Sequence, residues 1–544
     1  MPCTTILAGR KATYDGSTMI ARNEDSGAGS YGPKKFTVVK PDDQPRSYTS
    51  TISHVSIELP DNPMRYTAMP NAVYEDEGIW AAAGVNEANV AMTATETITS
   101  NERVLAADPM VVYVPEDKKK GTPETPGGIG EEDIVTITLP YIRSAREGVL
   151  RLGALLEQYG TYEMNGIAFQ DVNEIWWLET IGGHHWIARR VPDDAYVVAP
   201  NQFGIDYFDL EDAFGAKEEF LCSADLREFV RDNHLDLALF DELDEAVLSE
   251  VLGDQDEADL SGFLENRNEA GEDLEGDKLS EAARLAVGFD ARAAFGSHSD
   301  ADHVYNTPRA WYGQRYFNPS DAWEGPDAEW CPTSDDLPWC RVPEKKITVD
   351  DIKYVLSSHY NGTPYDPYAK YGDGAMKGAY RSIGVNRTNF LSLTQIRPYL
   401  PEKIRTIEWV AFGANPFNAF VPFYTQVEET PDYFANTDHR VTTENFYWAN
   451  RILGALADAQ YGASRSHIER YQIAVLTKGL EMILKADKAY LASQAGAGKT
   501  EPFSAEKINR EISDMVKEKT EDTLLKVLNE VSNRMKCAYA RSDA

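Results

Sequence analysis

Residues 3–26, CTTILAGRKATYDGSTMIARNEDS, are the stretch that decides the fold. Cys3 to Ala8 and Ser17 to Ala21 are β-prone runs, and the turn-forming residues Tyr14-Asp15-Gly16 lie between them. This pattern predicts a β-hairpin. Because the strands of a hairpin are antiparallel neighbours, we expect the residues after Ala21 to return to the side of Cys3.

The rest of the first two hundred residues predicts more strands, interrupted by one helix. Residues 140–159 carry an apolar repeat of helical spacing. Strands, a helix and further strands favour an α+β layered core over alternating βαβ units. The predicted strands are Ile79–Ala83, Val90–Thr95, Gly166–Phe169, Ile175–Leu178, His185–Arg189 and Tyr196–Ala199.

Two later regions have a different character. Residues 209–300 are rich in Asp and Glu and include the polar stretch Glu265–Asp277, which predicts an acidic helical insertion with a solvated loop. Short strands, aromatics and turns are expected to resume over residues 302–430. Residues 431–544 return to a helical pattern. We therefore divide the chain into a core domain at 3–430, which contains the insertion, and a helical C-terminal region at 431–544.

Composition restricts the functional classes. The 544 residues carry a formal net charge of −35, which disfavours binding to nucleic acids or to anionic membrane surfaces. The five cysteines are too few and too scattered for a disulfide framework. The chain start lacks the apolar segment of a signal peptide, and no apolar run approaches the roughly 20 residues of a membrane helix. We expect a soluble, cytoplasmic protein.

Cys3 is the first candidate for chemistry. If Met1 and Pro2 are removed, Cys3 carries both a thiol and a free α-amine, and an amine with a pKa of about 7.7–8.0 can accept the thiol proton. Beside it, Arg22 is expected to stabilise a thiolate and Asp25 to orient the α-ammonium. An exposed Arg/Asp pair in a turn is the alternative interpretation.

Two asparagines in turns are candidate oxyanion donors. Asn86 lies between two predicted strands in Gly84-Val85-Asn86-Glu87, and Asn201 follows the predicted strand Tyr196–Ala199. A side-chain amide N–H in such a turn can donate to a developing oxyanion. The alternative for both residues is a backbone role, because asparagine tolerates the left-handed conformation of turns.

Several segments together resemble the cysteine-dependent dipeptidases of lactic acid bacteria, the dipeptidase A family. This family is related to secernins, penicillin V acylases and conjugated bile acid hydrolases. Besides the opening hairpin, the resemblance rests on GGHHWIA at 182–188, VPDD at 191–194, NQF at 201–203, TPRAW at 307–311, HYNGTPYD at 359–366 and PFY at 422–424. It extends over about the first 430 residues.

The resemblance implies the four-layer αββα core of N-terminal-nucleophile (Ntn) hydrolases and a thiol nucleophile at Cys3. Arg22 and Asp25 match the Arg-Asn-x-Asp element of that superfamily. Asn86 and Asn201 match its residues for oxyanion and substrate contacts.

The family also uses a later arginine. Arg309 is the preferred match and Arg315 the alternative. One departure is that Pro2 separates Met1 from the cysteine, so exposure of Cys3 requires removal of both residues.

The implied activity is hydrolysis of dipeptides without a metal or cofactor. An N-acyl amidohydrolase of the penicillin V or bile salt type is one alternative. A non-enzymatic Ntn-fold scaffold, with the acidic insertion as its binding surface, is the other. Exposed helical layers on a large enzyme also favour a homo-oligomer.

Overall fold

The computed structural model describes residues 3–73, 77–237, 287–495 and 502–535. The predicted solvated stretch Glu265–Asp277 lies outside these ranges. In chain order the strands are β1 Cys3–Ala8, β2 Thr18–Asp25, β3 Thr37–Val39, β4 Ser47–Thr49, β5 Ser56–Glu58, β6 Tyr66–Ala68, β7 Ala83–Val85, β8 Ala91–Thr97, β9 Asn165–Gln170, β10 Ile175–Thr180, β11 Trp186–Arg190, β12 Tyr196–Ala199, β13 Tyr207–Asp209, β14 Phe220–Cys222, β15 Gly288–Asp290, β16 Cys340–Arg341, β17 Thr388–Ile396, β18 Thr406–Phe412 and β19 Val421–Tyr424.

The α-helices of the described residues are concentrated in the second half of the chain. Two short 3-10 helices, Pro41–Asp43 and Leu139–Tyr141, accompany them. The α-helices are α1 Glu102–Ala107, α2 Glu131–Thr138, α3 Ala145–Tyr159, α4 Leu210–Phe214, α5 Leu226–Asp232, α6 Ala291–Phe295, α7 Asp300–Tyr305, α8 Thr307–Phe317, α9 Val349–Leu356, α10 Glu402–Arg405, α11 Asp432–Ala435, α12 Phe446–Ala459, α13 Tyr461–Gln494 and α14 Ala505–Ser532.

Two antiparallel sheets form the centre of the fold. One has seven strands in the order β16-β12-β1-β2-β17-β18-β19, and the other has six in the order β14-β11-β10-β9-β8-β7. Strands β1 and β2 contact β8, and β2 also contacts β9, so the two sheets lie against each other. The predicted α+β class is therefore confirmed, and the structure adds that both central sheets are antiparallel.

Both faces of each sheet are covered by apolar side chains. Because successive residues of a strand point to opposite faces, Leu7 joins the cluster between the sheets while Ile6 joins the cluster on the outer face. Trp177 and Trp176 divide in the same way on β10. Helices α2 and α3 pack on the six-stranded sheet, and α8, α9 and α12–α14 pack on strands of the seven-stranded sheet. This coverage explains why every residue of β1 is buried.

The hairpin predicted from the opening sequence is confirmed. Strands β1 and β2 pair antiparallel, with Cys3 opposite Glu24 and Thr5 opposite Arg22. Strand β12 pairs with the other edge of β1, where Ala199 lies opposite Thr5. The end of β12 and the end of β2 therefore both lie beside the start of β1, where Cys3 is located.

The structure corrects several predicted elements. The run Ile79–Ala83 is not a strand, because Trp80 and Ala82 adopt left-handed φ angles of 48° and 66°, and β7 begins only at Ala83. The helix predicted over 140–159 begins at Ala145, after Ser144 accepts a capping hydrogen bond from Glu147 N. Helix α2 was not predicted at all.

The later regions agree with the sequence in part. Within residues 302–430, where strands were expected, the structure also has the helices α8 and α9. The helical pattern after residue 430 is confirmed by α11–α14, and α12–α14 pack on strands β18 and β19. None of the helices in the described ranges is long and apolar enough to cross a membrane.

Candidate active site

The thiol of Cys3 and the guanidinium of Arg22 are in direct contact. Residues opposite each other in an antiparallel pair project from the same face, and so do residues two apart in one strand. Because Arg22 lies opposite Thr5, it shares the face of Cys3. Arg22 Nη2 lies 2.9 Å from Cys3 Sγ, and both residues are fully buried. A cation that donates to sulfur in a low-dielectric setting favours the thiolate over the thiol.

The charge of Arg22 belongs to a buried ionic network. Arg22 Nη2 lies 2.6 Å from Glu131 Oε1, and Arg22 Nη1 lies 3.8 Å from Glu24 Oε2. Lys34 Nζ lies 3.0 Å from the other oxygen of Glu24. Burial lowers the pKa of Lys34, although the charge of Glu24 opposes this. Two cations and two carboxylates therefore share the site, which is how buried charges are tolerated.

The strained turn before β7 serves this network through its backbone. The carbonyl oxygen of Trp80 accepts from Lys34 Nζ at 3.2 Å, and that of Ala82 accepts from Arg22 Nη1 at 3.5 Å. Both residues have the left-handed φ that non-glycine residues rarely adopt. The unusual backbone thus aims carbonyl groups at the two buried cations.

The backbone nitrogen and carbonyl of Cys3 are held from the opposite side. Cys3 N donates to Asn201 Oδ1 at 2.9 Å, directly after β12 ends. Arg309, in the first turn of α8, donates to the Cys3 carbonyl, to Thr4 Oγ1 at 3.0 Å and to Asn201 Oδ1 at 2.9 Å. Asn306 accepts a further hydrogen bond from Arg309. Arg309 thereby fixes both the backbone of Cys3 and the asparagine that holds its nitrogen.

The alternative arginine lies elsewhere. Arg315 is two turns further along α8, and its guanidinium is paired with Glu324 at 2.6 Å near the surface. Of the two arginines that the sequence left open, the structure brings Arg309 to Cys3.

Asp25, at the end of β2, has different partners from those expected. Its Oδ1 accepts from Thr388 Oγ1 at 2.5 Å, and its Oδ2 is paired with Arg381. Asp25 itself is fully buried. Sequence reasoning expected it to orient the nitrogen of Cys3, whereas its contacts in the structure tie it to Arg381.

Asn86 is bound into a turn. Its Nδ2 donates to the carbonyls of Leu139 and Ile142, at 2.9 and 2.7 Å, which uses both amide hydrogens. Its Oδ1 accepts from the backbone nitrogens of Ala88 and Val90. The left-handed residue of this turn is Asn89, with φ of 57°. These contacts join β7 to the segment before α3 and do not involve Cys3.

Four site residues were missed by sequence reasoning: Glu24, Lys34, Glu131 and Arg381. The run Gly130-Glu131-Glu132-Asp133 before an apolar segment is typical of a helix start and could have predicted α2. No local pattern marks Lys34 or Arg381, because each reaches the site from a loop. In the described part of the chain, no group of three or more His, Cys, Asp or Glu side chains is arranged to hold a metal ion.

Comparison with known proteins identifies a family for this chain. The family model described as peptidase family C69 matches residues 2–474. The chain is 54% identical over 530 residues to a protein named dipeptidase from Bifidobacterium longum, covering 96% of this chain and 90% of that protein. It is 48% identical to a probable dipeptidase A of Streptococcus pyogenes serotype M3, with 100% of both chains covered.

A more distant relative has a similar name. A probable dipeptidase B of Lactococcus lactis is 42% identical over 489 residues, covering 90% of this chain and 88% of that protein. The family model extends beyond the 430 residues over which the sequence carries the resemblance. The resemblance to the dipeptidase A family is thus confirmed, and the chain belongs to peptidase family C69.

Proposed function

We propose that the protein is a dipeptidase that uses Cys3 as an N-terminal nucleophile, exposed by removal of Met1 and Pro2. The observation that carries the proposal is the buried contact of 2.9 Å between Arg22 Nη2 and Cys3 Sγ. A guanidinium that donates to the sulfur stabilises the thiolate, which is the form that a nucleophile needs and a packing residue does not. The substrate class comes from the names of the relatives, which are called dipeptidases.

The proposed reaction begins with proton transfer within Cys3. The free α-amine accepts the thiol proton, and the thiolate attacks the carbonyl carbon of the peptide bond. The tetrahedral intermediate then collapses as the C–N bond breaks, and the protonated amine gives its proton to the leaving amino group. Water hydrolyses the resulting thioester, which releases the N-terminal amino acid of the dipeptide and restores the thiol. The chemistry as proposed requires no metal or cofactor.

Asn201 and Arg309 are proposed to hold the reacting groups in place. The contact of 2.9 Å from Cys3 N to Asn201 Oδ1 would keep the α-nitrogen beside its own thiol. The amide nitrogen of Asn201 is then the proposed donor to the oxyanion. Arg309 is a positioning residue, because its contacts are to the Cys3 carbonyl and to Asn201.

We further propose that the core is the four-layer αββα arrangement of Ntn hydrolases. This is supported by two antiparallel sheets in contact, with helices on the outer face of each. The proposed catalytic domain covers residues 3–430 with the acidic insertion at 209–300, and residues 431–544 form the helical C-terminal region. A cytoplasmic location and a homo-oligomeric state stay predictions.

The first test combines intact mass with one substitution. We expect the purified native protein to begin at Cys3 and to hydrolyse free dipeptides. Cys3→Ala should lower turnover by more than about 10⁴-fold, because the nucleophile is removed. The matched control is Cys331→Ala, since Cys331 is exposed and should leave turnover unchanged.

Two outcomes would contradict the proposal. Activity retained by a folded Cys3→Ala variant would exclude the thiol mechanism. A native chain that still carries Pro2 and is fully active would exclude the free α-amine as the base. Comparing a free dipeptide with its N-acetyl form separates the N-acyl amidohydrolase, which would prefer the acetylated substrate.

A further inference from the structure

Arg381 lies at the site but has no part in the chemistry proposed above. It belongs to the loop between α9 and β17, and its side chain is only 7% exposed. One amino group of its guanidinium is anchored by Asp25. The guanidinium also lies 5.4 Å from the ring centroid of Tyr305, at the end of α7. Burying the charge of an arginine costs free energy, which its contacts or a bound group must offset.

The charge of Arg381 is coupled to the nucleophile. Burial acts to lower the pKa of Arg381, but Asp25, Tyr305 and Cys3 together raise it above its ordinary value. The geometry agrees, because Asp25, which anchors Arg381, directly follows Glu24, the residue opposite Cys3 in the hairpin. A substrate group bound by Arg381 would therefore lie in the neighbourhood of Cys3.

The other buried cations of the site hold protein groups. Arg22 contacts the Cys3 sulfur and Glu131, and Arg309 contacts the Cys3 carbonyl and Asn201. Lys34 is paired with Glu24. Each of these contacts maintains the nucleophile or its ionic balance, so a substrate carboxylate bound to any of the three would disturb the nucleophile. Arg381 is anchored by Asp25 instead.

The surroundings of Arg381 connect it to solvent. Tyr305 is 37% exposed. The guanidinium carbons of Arg309 and Arg381 each lie 5.4 Å from the centroid of its ring. Arg387 donates to the Tyr305 hydroxyl at 2.8 Å. Three arginines thus converge on one half-exposed tyrosine, in a chain whose net charge is −35. Such a local positive potential attracts an anion that the rest of the surface repels.

We propose that Arg381 binds the α-carboxylate of the dipeptide substrate, with Tyr305 at the rim of the entry route. The planar guanidinium matches a carboxylate in geometry and charge. In a dipeptide the carboxylate is one residue from the scissile bond, so its binding group must lie near the nucleophile. Arg381 meets this requirement through Asp25, which directly follows the residue opposite Cys3. The inference rests on the proposed function and assigns the part of the site that distinguishes dipeptides from longer peptides.

The test compares substrates that differ only at the carboxylate. A dipeptide, its C-terminal amide and the corresponding tripeptide are assayed with the wild-type protein, with Arg381→Gln and with Arg381→Lys. We expect the wild type to prefer the dipeptide over the amide by roughly 10- to 100-fold in kcat/KM, the range of a charge-assisted hydrogen bond. Arg381→Gln should lose this factor on the dipeptide and change little on the amide. Arg381→Lys should recover part of it.

Controls separate this role from a structural one. Arg315→Gln removes another arginine of the same half of the chain, paired at the surface, and should leave the preference unchanged. An equal loss on dipeptide and amide by a folded Arg381→Gln would mean that Arg381 only positions Asp25, and would overturn the proposal. If neither Arg381 variant folds, equal wild-type rates on the dipeptide and its amide would still overturn the proposal, because they exclude any contact to the carboxylate.

The two proposals fail in different ways. A wild-type protein that hydrolyses neither dipeptide nor amide contradicts the proposed function. A wild-type protein that hydrolyses the dipeptide but does not distinguish it from the amide contradicts the role of Arg381 alone.

Discussion

The turns that carry Asn201 and Asn86 look alike in sequence and differ in the structure. Asn201 follows a strand, Asn86 lies between two strands, and both residues are buried. The Asn201 side chain accepts from the nitrogen of Cys3, while the Asn86 side chain closes its own turn and joins it to Leu139 and Ile142. The comparison shows that the role of an asparagine in a turn depends on which groups other segments place within hydrogen-bonding distance of it.

A buried glutamate supports each of the two turns through hydrogen bonds. Glu179 accepts from the backbone nitrogens of Gly204 and Ile205, just after Asn201. Glu408 accepts from Thr67 Oγ1, which in turn accepts from the nitrogen of Val85, just before Asn86. Burial raises the pKa of each glutamate to about 7, against the hydrogen bonds that lower it. The two turns are therefore supported in a similar way, and the difference between them is that the side chain of Asn201 contacts Cys3.

The largest expected difference is at Asn201. Asn201→Ala removes both the acceptor for Cys3 N and the proposed oxyanion donor, so we expect a loss of about 10²- to 10³-fold in kcat. Asn201→Asp retains the acceptor oxygen but has no N–H to donate. If donation to the oxyanion is the main role, both variants are impaired to a similar extent. If Asn201→Asp keeps most of the turnover, the residue acts by holding the nitrogen and not the oxyanion.

At Asn86 we expect a loss of stability instead. Asn86→Ala leaves two buried carbonyls and two backbone nitrogens without their partner, which should lower the free energy of unfolding by about 2–4 kcal/mol. Turnover per folded molecule should stay within a few-fold of the wild type. Denaturant unfolding and active-site titration measure the two quantities, with the exposed Asn62→Ala as control.

The opposite result at Asn86 would restore the expectation from the sequence. A variant of unchanged stability with turnover reduced a hundredfold would place Asn86 in the oxyanion contact, as the family resemblance implies. That outcome would also remove the contrast between the two turns.

The last expected effect is the pH dependence of stability that Glu408 contributes. Its folded pKa of about 7 lies above its ordinary value of 4.5. The unfolded chain therefore loses this proton first, and the free energy of unfolding falls as pH rises from about 4.5 to about 7. The fall amounts to about 3 kcal/mol for one such group, and it is complete above pH 7.

Glu408→Gln should flatten this part of the stability profile, because glutamine has no proton to lose. Urea unfolding at several pH values between 5 and 8 measures the slope. Glu402, whose side chain is 82% exposed, supplies the control Glu402→Gln, which should leave the slope unchanged. A slope equal to that of the wild type in Glu408→Gln would mean that Glu408 is already ionised in the fold at low pH.

Some of the site was predictable from local sequence. The hairpin that returns Arg22 to Cys3 follows from turn residues between two β-prone runs, since strand pairing at short range is set by the turn. The strand before Asn201 is marked by its own composition. The left-handed residues Trp80 and Ala82 were not predictable, because their strain is supported by buried cations from other segments.

By itself, then, the sequence determined the class of fold, the opening hairpin with Cys3 and Arg22, and the resemblance that the family match confirms. Only the tertiary structure decided that Arg309 and not Arg315 contacts Cys3, that Asp25 is paired with Arg381, and that Asn86 closes a turn. The physical reason is that periodicity and turn signals act over a few residues. Buried charges and hydrogen bonds are satisfied by whichever distant segment the packed sheets bring within about 3 Å of them.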